Sequence, residues 1–386
     1  MTVYVIVLSV LFWLSVGEVL LKRNIWGAAS CIILVIFAGL RYRVGWDWLG
    51  YEKYFFEILG FPELLDNGWP STELKVEPLF ALLAVIIKSF TDNFILFFLS
   101  IAIISLLPVF FVIKNISGRS AIVWVAYFGF AFLMGQMNIM RQVLASSFVL
   151  LSLLMVVKDR RIWAATLIIV AAGFQVSVLL FSPLLFLYKI RPSVLVSIIV
   201  IILGVVLCMT GFDLAEFLFT AGRFFSPEWI GSKLSFSNNL KQNQLSFGAI
   251  ALLAIHLALL FSFYFLSDPV EKNDHYIKMA IWLTLILVVA HLYLHAYPVF
   301  WNRLMLVALP WQLAVFFRMK KISSLPPIQS IVIVTFIFVI SSGALVHALR
   351  QPGSLAIVPY HSALQVWMFS DEGTGEDRIR RANDGI

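Results

Sequence analysis

Long runs with at most one charge alternate along this chain with short polar clusters. Apolar stretches occupy residues 2–21, 25–40, 94–113, 121–135, 143–157, 194–211, 247–266, 279–296, 299–317 and 331–347. Each approaches the ~20 apolar residues that cross a hydrocarbon core, so the pattern predicts an all-α polytopic membrane protein, a helix bundle of roughly ten to thirteen spans. Residues 2–21 lack a basic start and a small-residue cleavage site, and read as the first span rather than a leader. Two segments depart from a simple crossing. Residues 77–90 are short, begin with an acid and a proline and carry Lys88, which suits an interfacial or membrane-skirting helix. Residues 161–190 contain Gly173, Phe174, Gln175 and Ser177 near the middle and Pro183 after them, which suits a helical hairpin or a broken helix. Irregular backbone within a membrane is tolerated only where protein buries it or a cavity adjoins it, so this break is a candidate pocket wall.

Composition agrees. The 386 residues are 61% hydrophobic and 13% charged, whereas a soluble domain has about 25% charged residues. The net charge of +7 is first a matter of topology, and no nucleic-acid partner is expected. With Lys22 and Arg23 inside, Lys114, Arg119, Lys158, Arg160, Arg161, Lys189, Arg191, Lys272, Lys278, Arg318, Lys320 and Lys321 also fall inside, as the positive-inside bias requires. The opposite face then receives residues 41–76, 136–142, 212–246, 295–303 and the tail from 349. A bacterial cytoplasmic (inner) membrane with these loops in the periplasm is the expected location. Residues 1–348 form one membrane-embedded domain, including the outer loops 41–77 and 212–246. Residues 349–386 form a polar tail expected to be disordered. Cys31 and Cys208 both lie in apolar stretches, which argues against a structural disulfide.

The basic residues left on the outer face carry the candidate chemistry. In GLRYRVGWDWLGY, residues 39–51, Arg41 and Arg43 precede Asp47 and a cluster of Trp46, Trp48 and Tyr51. An aromatic belt at a membrane exit accounts for the pattern. So does a diphosphate site, because paired guanidiniums take phosphate oxygens in bidentate fashion. Arg141 and Arg303 sit near helix ends on the same face, where snorkelling to the interface is the plain alternative. Arg223, Lys233 and Lys241 lie in the long loop, where solvation explains them. In QMNIMRQVLA, residues 136–145, Asn138 can cap a helix whose start, beside Arg141 and Gln142, would cradle an anion. In HLYLHAYPVFWNR, residues 291–303, His291 and His295 stand at helical i, i+4 spacing. No acid or cysteine completes a zinc set, so no metal is expected, and a polar cavity wall with a proton-moving histidine is the better reading. Asp47 and Glu77 are the acids closest to membrane exits; Glu52, Glu57, Glu63, Asp66 and Glu73 read as a solvated face. The chain has no nucleotide-binding loop and no GxSxG elbow.

In order along the chain, GLRYRVGWDWLGY, then EPLF at 77–80, NIMRQVLA at 138–145, GFQVSVLLFSPL at 173–184, YPVFWNR at 297–303 and VPY at 358–360 resemble the EpsG-like, Wzy-type polysaccharide polymerases. The resemblance covers most of the chain and rests on the order of the motifs. It implies a membrane glycosyltransferase resembling the GT-C class, without a cofactor. Its donor would be a glycan on polyprenyl diphosphate and its acceptor the terminal sugar of a lipid-linked repeat unit, with a chain-length regulator as a further partner. On this basis Arg41, Arg43, Arg141 and Arg303 would converge on one or two diphosphates. Asp47, Glu77 or His295 would act on the acceptor proton, and Tyr51, Asn138, Gln142, Gln175, His291 and Tyr360 would line the substrate. The family commonly has a histidine where this chain has Gln175; a proton-carrying role of that histidine would here be lost or moved to His291 or His295. A lipid-linked oligosaccharide flippase or another transporter, or an O-antigen ligase, are the alternatives; a transporter should show internal repeats, and none is evident.

Overall fold

The computed structural model describes residues 1–23, 25–68, 72, 74–211, 247–351, 354, 356–369 and 375. The long loop 212–246, with Arg223, Lys233 and Lys241, lies outside the described residues, as does Glu73. The protein is an all-α, multi-pass membrane protein. Seven described helices are long and apolar enough to span a bilayer, and six shorter apolar helices accompany them. No strand occurs among the described residues; an isolated antiparallel bridge joins Arg41 to Ser362. The chain forms two compact units, residues 1–185 with 325–386, and residues 186–324.

The first unit opens with α1 (Thr2–Leu21) and α2 (Ile25–Gly39), which pack on each other and turn back at Lys22 in the left-handed region, φ 52°. At one end of the unit, Tyr4 of α1 meets Phe37 of α2 edge to face, with ring centroids 5.5 Å apart. At the other end Glu18 of α1 accepts hydrogen bonds from Ser120 N–H (3.1 Å) and Ala121 N–H (2.8 Å). Those N–H groups open α7 (Ala121–Tyr127), so a carboxylate from a neighbouring helix satisfies donors that every helix start leaves orphaned. That also explains an acid inside the first apolar stretch. Lys158 reaches Asn115 on this same side of the unit, where α6 (Phe94–Ile116) ends and α8 (Met140–Val157) has just finished. The basic residues Lys22, Arg119 and Lys158 therefore share one end, and Arg41 and Arg141 stand at the opposite one.

The loop that follows α2 is helical in part, which the apolar pattern did not show. Trp48–Glu57 forms α3 and Phe61–Asn67 forms α4. In α3, Trp48, Tyr51, Tyr54 and Phe55 are buried, positions i, i+3, i+6 and i+7 on one face of an amphipathic helix. Residues 77–90 give the expected short helix, α5 (Pro78–Lys88), with Glu77 at its N-cap. The expected break in 161–190 is also present. Helix α9 (Arg161–Phe174) stops at Gln175, whose backbone is extended (φ −159°), and a 3-10 turn, Val176–Phe181, follows. Gly173 lets α5 approach α9; a Cβ there would come within 2.6 Å of the Leu79 side chain.

The last long helix described in the unit, Pro327–Arg350, packs on α1 and continues past residue 348. The segment after it is not a loose tail throughout. Gly45 and Tyr42 donate backbone hydrogen bonds to the Ala356 and His361 carbonyls, and Ala363 donates to Leu40. A short helix, Ala363–Phe369, then closes the segment. Residues 370–374 and 376–386 lie outside the described residues.

In the second unit, Val194–Thr210, Phe247–Phe265, His275–Tyr293 and Pro298–Arg318 are the main helices. Polar side chains tie them together: Tyr293 donates to the Val200 carbonyl (2.9 Å), Gln312 to the Thr284 hydroxyl (3.0 Å), and Trp282 to the Ile190 carbonyl (2.9 Å).

Candidate functional site

Four sequence motifs that lie far apart along the chain meet at one end of the first unit. Glu77 comes from the start of α5, Arg141 and Gln142 from the first turn of α8, Tyr51 from α3, and Ser177 from the turn after α9. Arg141 Nη1 donates to Glu77 Oε2 at 2.8 Å and to the Lys75 carbonyl at 3.4 Å. Arg141 Nε is buried and has no hydrogen-bond partner. One edge of the guanidinium is thus fixed by a charge-assisted bond, while another donor remains unused. The Tyr51 phenol lies beside this guanidinium; burial pushes its pKa up, and the adjacent cation opposes that rise. Gln142 is buried and accepts from Ser177 at 3.2 Å, which joins the broken-helix turn to the start of α8.

The loop bearing the two arginines is held by Asn138. Its side-chain oxygen accepts the Trp46 N–H at 2.7 Å and its amide nitrogen donates to the Leu133 carbonyl at 2.7 Å. Asn138 therefore does not cap α8, as the sequence led us to expect; Ile139 occupies the N-cap position. Gly45 makes this junction possible: its φ is 117°, and a Cβ there would overlap the Met137 carbonyl oxygen.

The two arginines of the loop differ. Arg41 is only 3% exposed; its Nη1 donates to the Ala38 (3.0 Å) and Gln136 (2.7 Å) carbonyls, and its guanidinium lies 4.3 Å from the centre of the Phe98 ring. Burial lowers its pKa to about 10, so it stays charged at neutral pH. Arg41 is a buried tie between the ends of α2 and the segment before α8, not an open anion site. Arg43 stands nearer solvent, with φ 52°, close to Glu52 (3.8 Å) and over the Trp48 ring at 5.6 Å. Asp47 is exposed at the N-cap of α3, one helical turn before Tyr51. Tyr360 donates to the Phe37 carbonyl at 2.8 Å and stacks on the Phe37 ring at 4.3 Å, so it fastens the C-terminal segment. Gln175 is half-buried at the break itself.

His291, His295 and Arg303 belong to the second unit. The helix bearing His291 ends at Tyr293, so His295 lies in the turn beyond it and the expected i, i+4 histidine face does not form. His291 instead stacks on Trp301 (4.3 Å) and neighbours His256 (5.6 Å). Its Nδ1 meets the Leu287 carbonyl at 2.9 Å; a carbonyl can only accept, so Nδ1 carries the proton and Nε2 the lone pair. Arg303 lies in the second turn of Pro298–Arg318. Among the described residues no cluster of three or more His, Cys, Asp or Glu side chains could hold a metal ion. The sequence reading passed over His256, which stands alone in an apolar stretch, and Tyr54, which the buried stripe of α3 would have flagged had the loop been read as helical.

A model of the EpsG family matches residues 24–362, a span that contains every motif of the first-unit cluster. No curated protein and no solved structure gives a significant match.

Proposed function

The chain belongs to the EpsG family, and on that premise we propose that it is a polysaccharide polymerase acting at the periplasmic face of a bacterial inner membrane. It transfers a growing glycan from polyprenyl diphosphate to the terminal sugar of a lipid-linked repeat unit. The observation that carries this reading is the Glu77–Arg141 pair: a guanidinium oriented by a carboxylate, with a donor to spare, beside a tyrosine and a helix break.

The chemistry asks for little else. An acceptor hydroxyl attacks C1 of the donor sugar and its proton passes to a base. The C1–O bond to the diphosphate breaks, and the polyprenyl diphosphate leaves with the electron pair. The leaving group is already activated, so no nucleotide is needed. Negative charge grows on the diphosphate oxygens, and a fixed cation stabilises the transition state more than the ground state. Arg141 takes that role, with Arg43 as the second cation of the same unit. Glu77 orients Arg141. Asp47, exposed at the N-cap of α3 one helical turn before Tyr51, is the candidate for the base. Arg41 is assigned to structure. For Arg303 and His295 the support is the sequence alone: a cation and a titratable group near the ends of apolar helices.

The test is the surface polysaccharide of a deletion strain, resolved by length. A single repeat unit on its carrier or core with the ladder lost supports polymerase. Loss of every repeat, the single one included, supports flippase or ligase instead.

A further inference from the structure

Next to the Glu77–Arg141 pair, Tyr54 of α3, the first turns of α5 and residues Thr72, Lys75 and Val76 border a cavity of about 410 Å³. That lies within the roughly 300–1,000 Å³ of small-molecule sites. Pro78, Ala81 and Leu82 of α5 give it an apolar wall, and Tyr54, Thr72 and Lys75 a polar one. Tyr54 is 1% exposed, yet its hydroxyl has no hydrogen-bond partner. Leaving a buried hydroxyl unsatisfied is unfavourable, so the fold keeps a polar group here that its own packing does not use. Burial raises the Tyr54 pKa to about 12, and the phenol therefore keeps its proton at neutral pH and can donate. Thr72 donates to the Leu74 carbonyl at 3.2 Å, which leaves its oxygen able to accept.

A lining that combines apolar side chains with a hydroxyl donor and a hydroxyl acceptor is complementary to a pyranose, which has an apolar C–H face and a polar rim. It suits a polyprenyl chain poorly, because a hydrocarbon would leave Tyr54 unsatisfied. A diphosphate would be drawn to the guanidinium that Glu77 holds. Resting on the polymerase reading, we propose that this cavity seats the accepting terminal sugar, with the Tyr54 hydroxyl bonded to one of its oxygens and the ring's apolar face against Pro78 and Leu82. Val76 and Pro78, the chain neighbours of Glu77, line the cavity, and Arg141 donates to Glu77 and to the Lys75 carbonyl, so an acceptor held there would stand near the guanidinium assigned to the diphosphate, which is the proximity that transfer requires.

The probe is the repeat-unit oligosaccharide released from the strain's own polysaccharide, without lipid, titrated into the full-length protein in lipid nanodiscs. Tyr54→Phe is expected to weaken binding about tenfold, a loss of the size one hydrogen bond supplies, and Ala81→Trp to abolish it by filling the cavity. Because the hydroxyl is unpartnered in the free protein, Tyr54→Phe should leave thermal stability unchanged or raise it; a structural role would lower it. In transfer assays Tyr54→Phe should raise KM for the acceptor and leave KM for the lipid diphosphate donor unchanged. Oligosaccharide binding unaffected by both substitutions, or a change in donor KM alone, would overturn the assignment. Tyr54-dependent binding in a protein with no transfer activity would instead sink the polymerase reading and leave the sugar site standing. Transfer that depends on Arg141 but not on Tyr54 would do the reverse.

Discussion

Arg41 and Arg141 are the same residue type at the same end of one unit, and their surroundings differ. Arg41 donates to two buried carbonyls and is shielded from solvent. Arg141 is held at one edge by Glu77 and keeps Nε unused. Arg41→Ala strands the Ala38 and Gln136 carbonyls and should cost about 2–4 kcal/mol of stability, read as a lower melting temperature and reduced yield of folded protein. The sign with pH follows from the lowered pKa of about 10. The folded value lies below the unfolded one, so the cost of burying the cation is fully present below about pH 10 and relaxes only above it. The destabilisation by Arg41→Ala should therefore be flat from pH 6 to 9 in a melting series. Arg141→Lys keeps a charge but loses the planar fork; it should fold like the wild type and yield shorter polymer chains at a reduced rate. The sequence made the two arginines look alike, because membrane exits attract both kinds and only the partners separate them.

The elements show why parts of the site were legible and others were not. Helix α5 and the break after α9 follow from local chemistry: Glu77 and Pro78 start a short helix, and Gly173 through Ser177 interrupt a long one. Helix α3 was hidden because its buried stripe of Trp48, Tyr51, Tyr54 and Phe55 also reads as an interfacial aromatic belt. Asn138 was assigned to a cap on its residue type, whereas a partner 92 positions away, the Trp46 N–H, claimed its oxygen. Histidine spacing failed for a third reason, since His291 and His295 meet the i, i+4 rule only if the helix continues past Tyr293, and it does not. Two packing predictions belong at this scale. Gly173→Val pushes Leu79 and with it the start of α5, so Glu77 moves from Arg141; the measurement is polymer length at wild-type protein abundance, and shortening is expected. Glu18→Ala removes the acceptor of two buried N–H groups at the start of α7. It should cost about 2–3 kcal/mol, seen as a lower melting temperature in detergent.

For the molecule as a whole, the apolar pattern was sufficient for the class, an all-α multi-pass membrane protein, and the order of six motifs was sufficient for the family. The pattern did not reveal that the chain divides into two compact units, because apolar spans look alike whichever unit they join. Nor did polarity reveal that residues 356–363 return to hydrogen-bond Leu40, Tyr42 and Gly45, since backbone pairing leaves no side-chain signature. Orientation is a matter for labelling. In intact cells, with outer-membrane access provided, a cysteine at Lys75 should react with a membrane-impermeant maleimide and one at Asn115 should not. The opposite pattern would turn the first unit, and the proposed site, to face the cytoplasm.

The measurement that tests the central claim most directly is glycosyl transfer by the purified full-length protein in nanodiscs supplied only with polyprenyl-diphosphate-linked repeat units. The account predicts products of two and more repeats from the wild type without added nucleotide. With Arg141→Ala, the rate should fall by about a hundredfold or more while the melting temperature stays within a few degrees of the wild type. Transfer by Arg141→Ala at the wild-type rate would contradict the account, because the guanidinium that Glu77 holds would then have no part in the reaction.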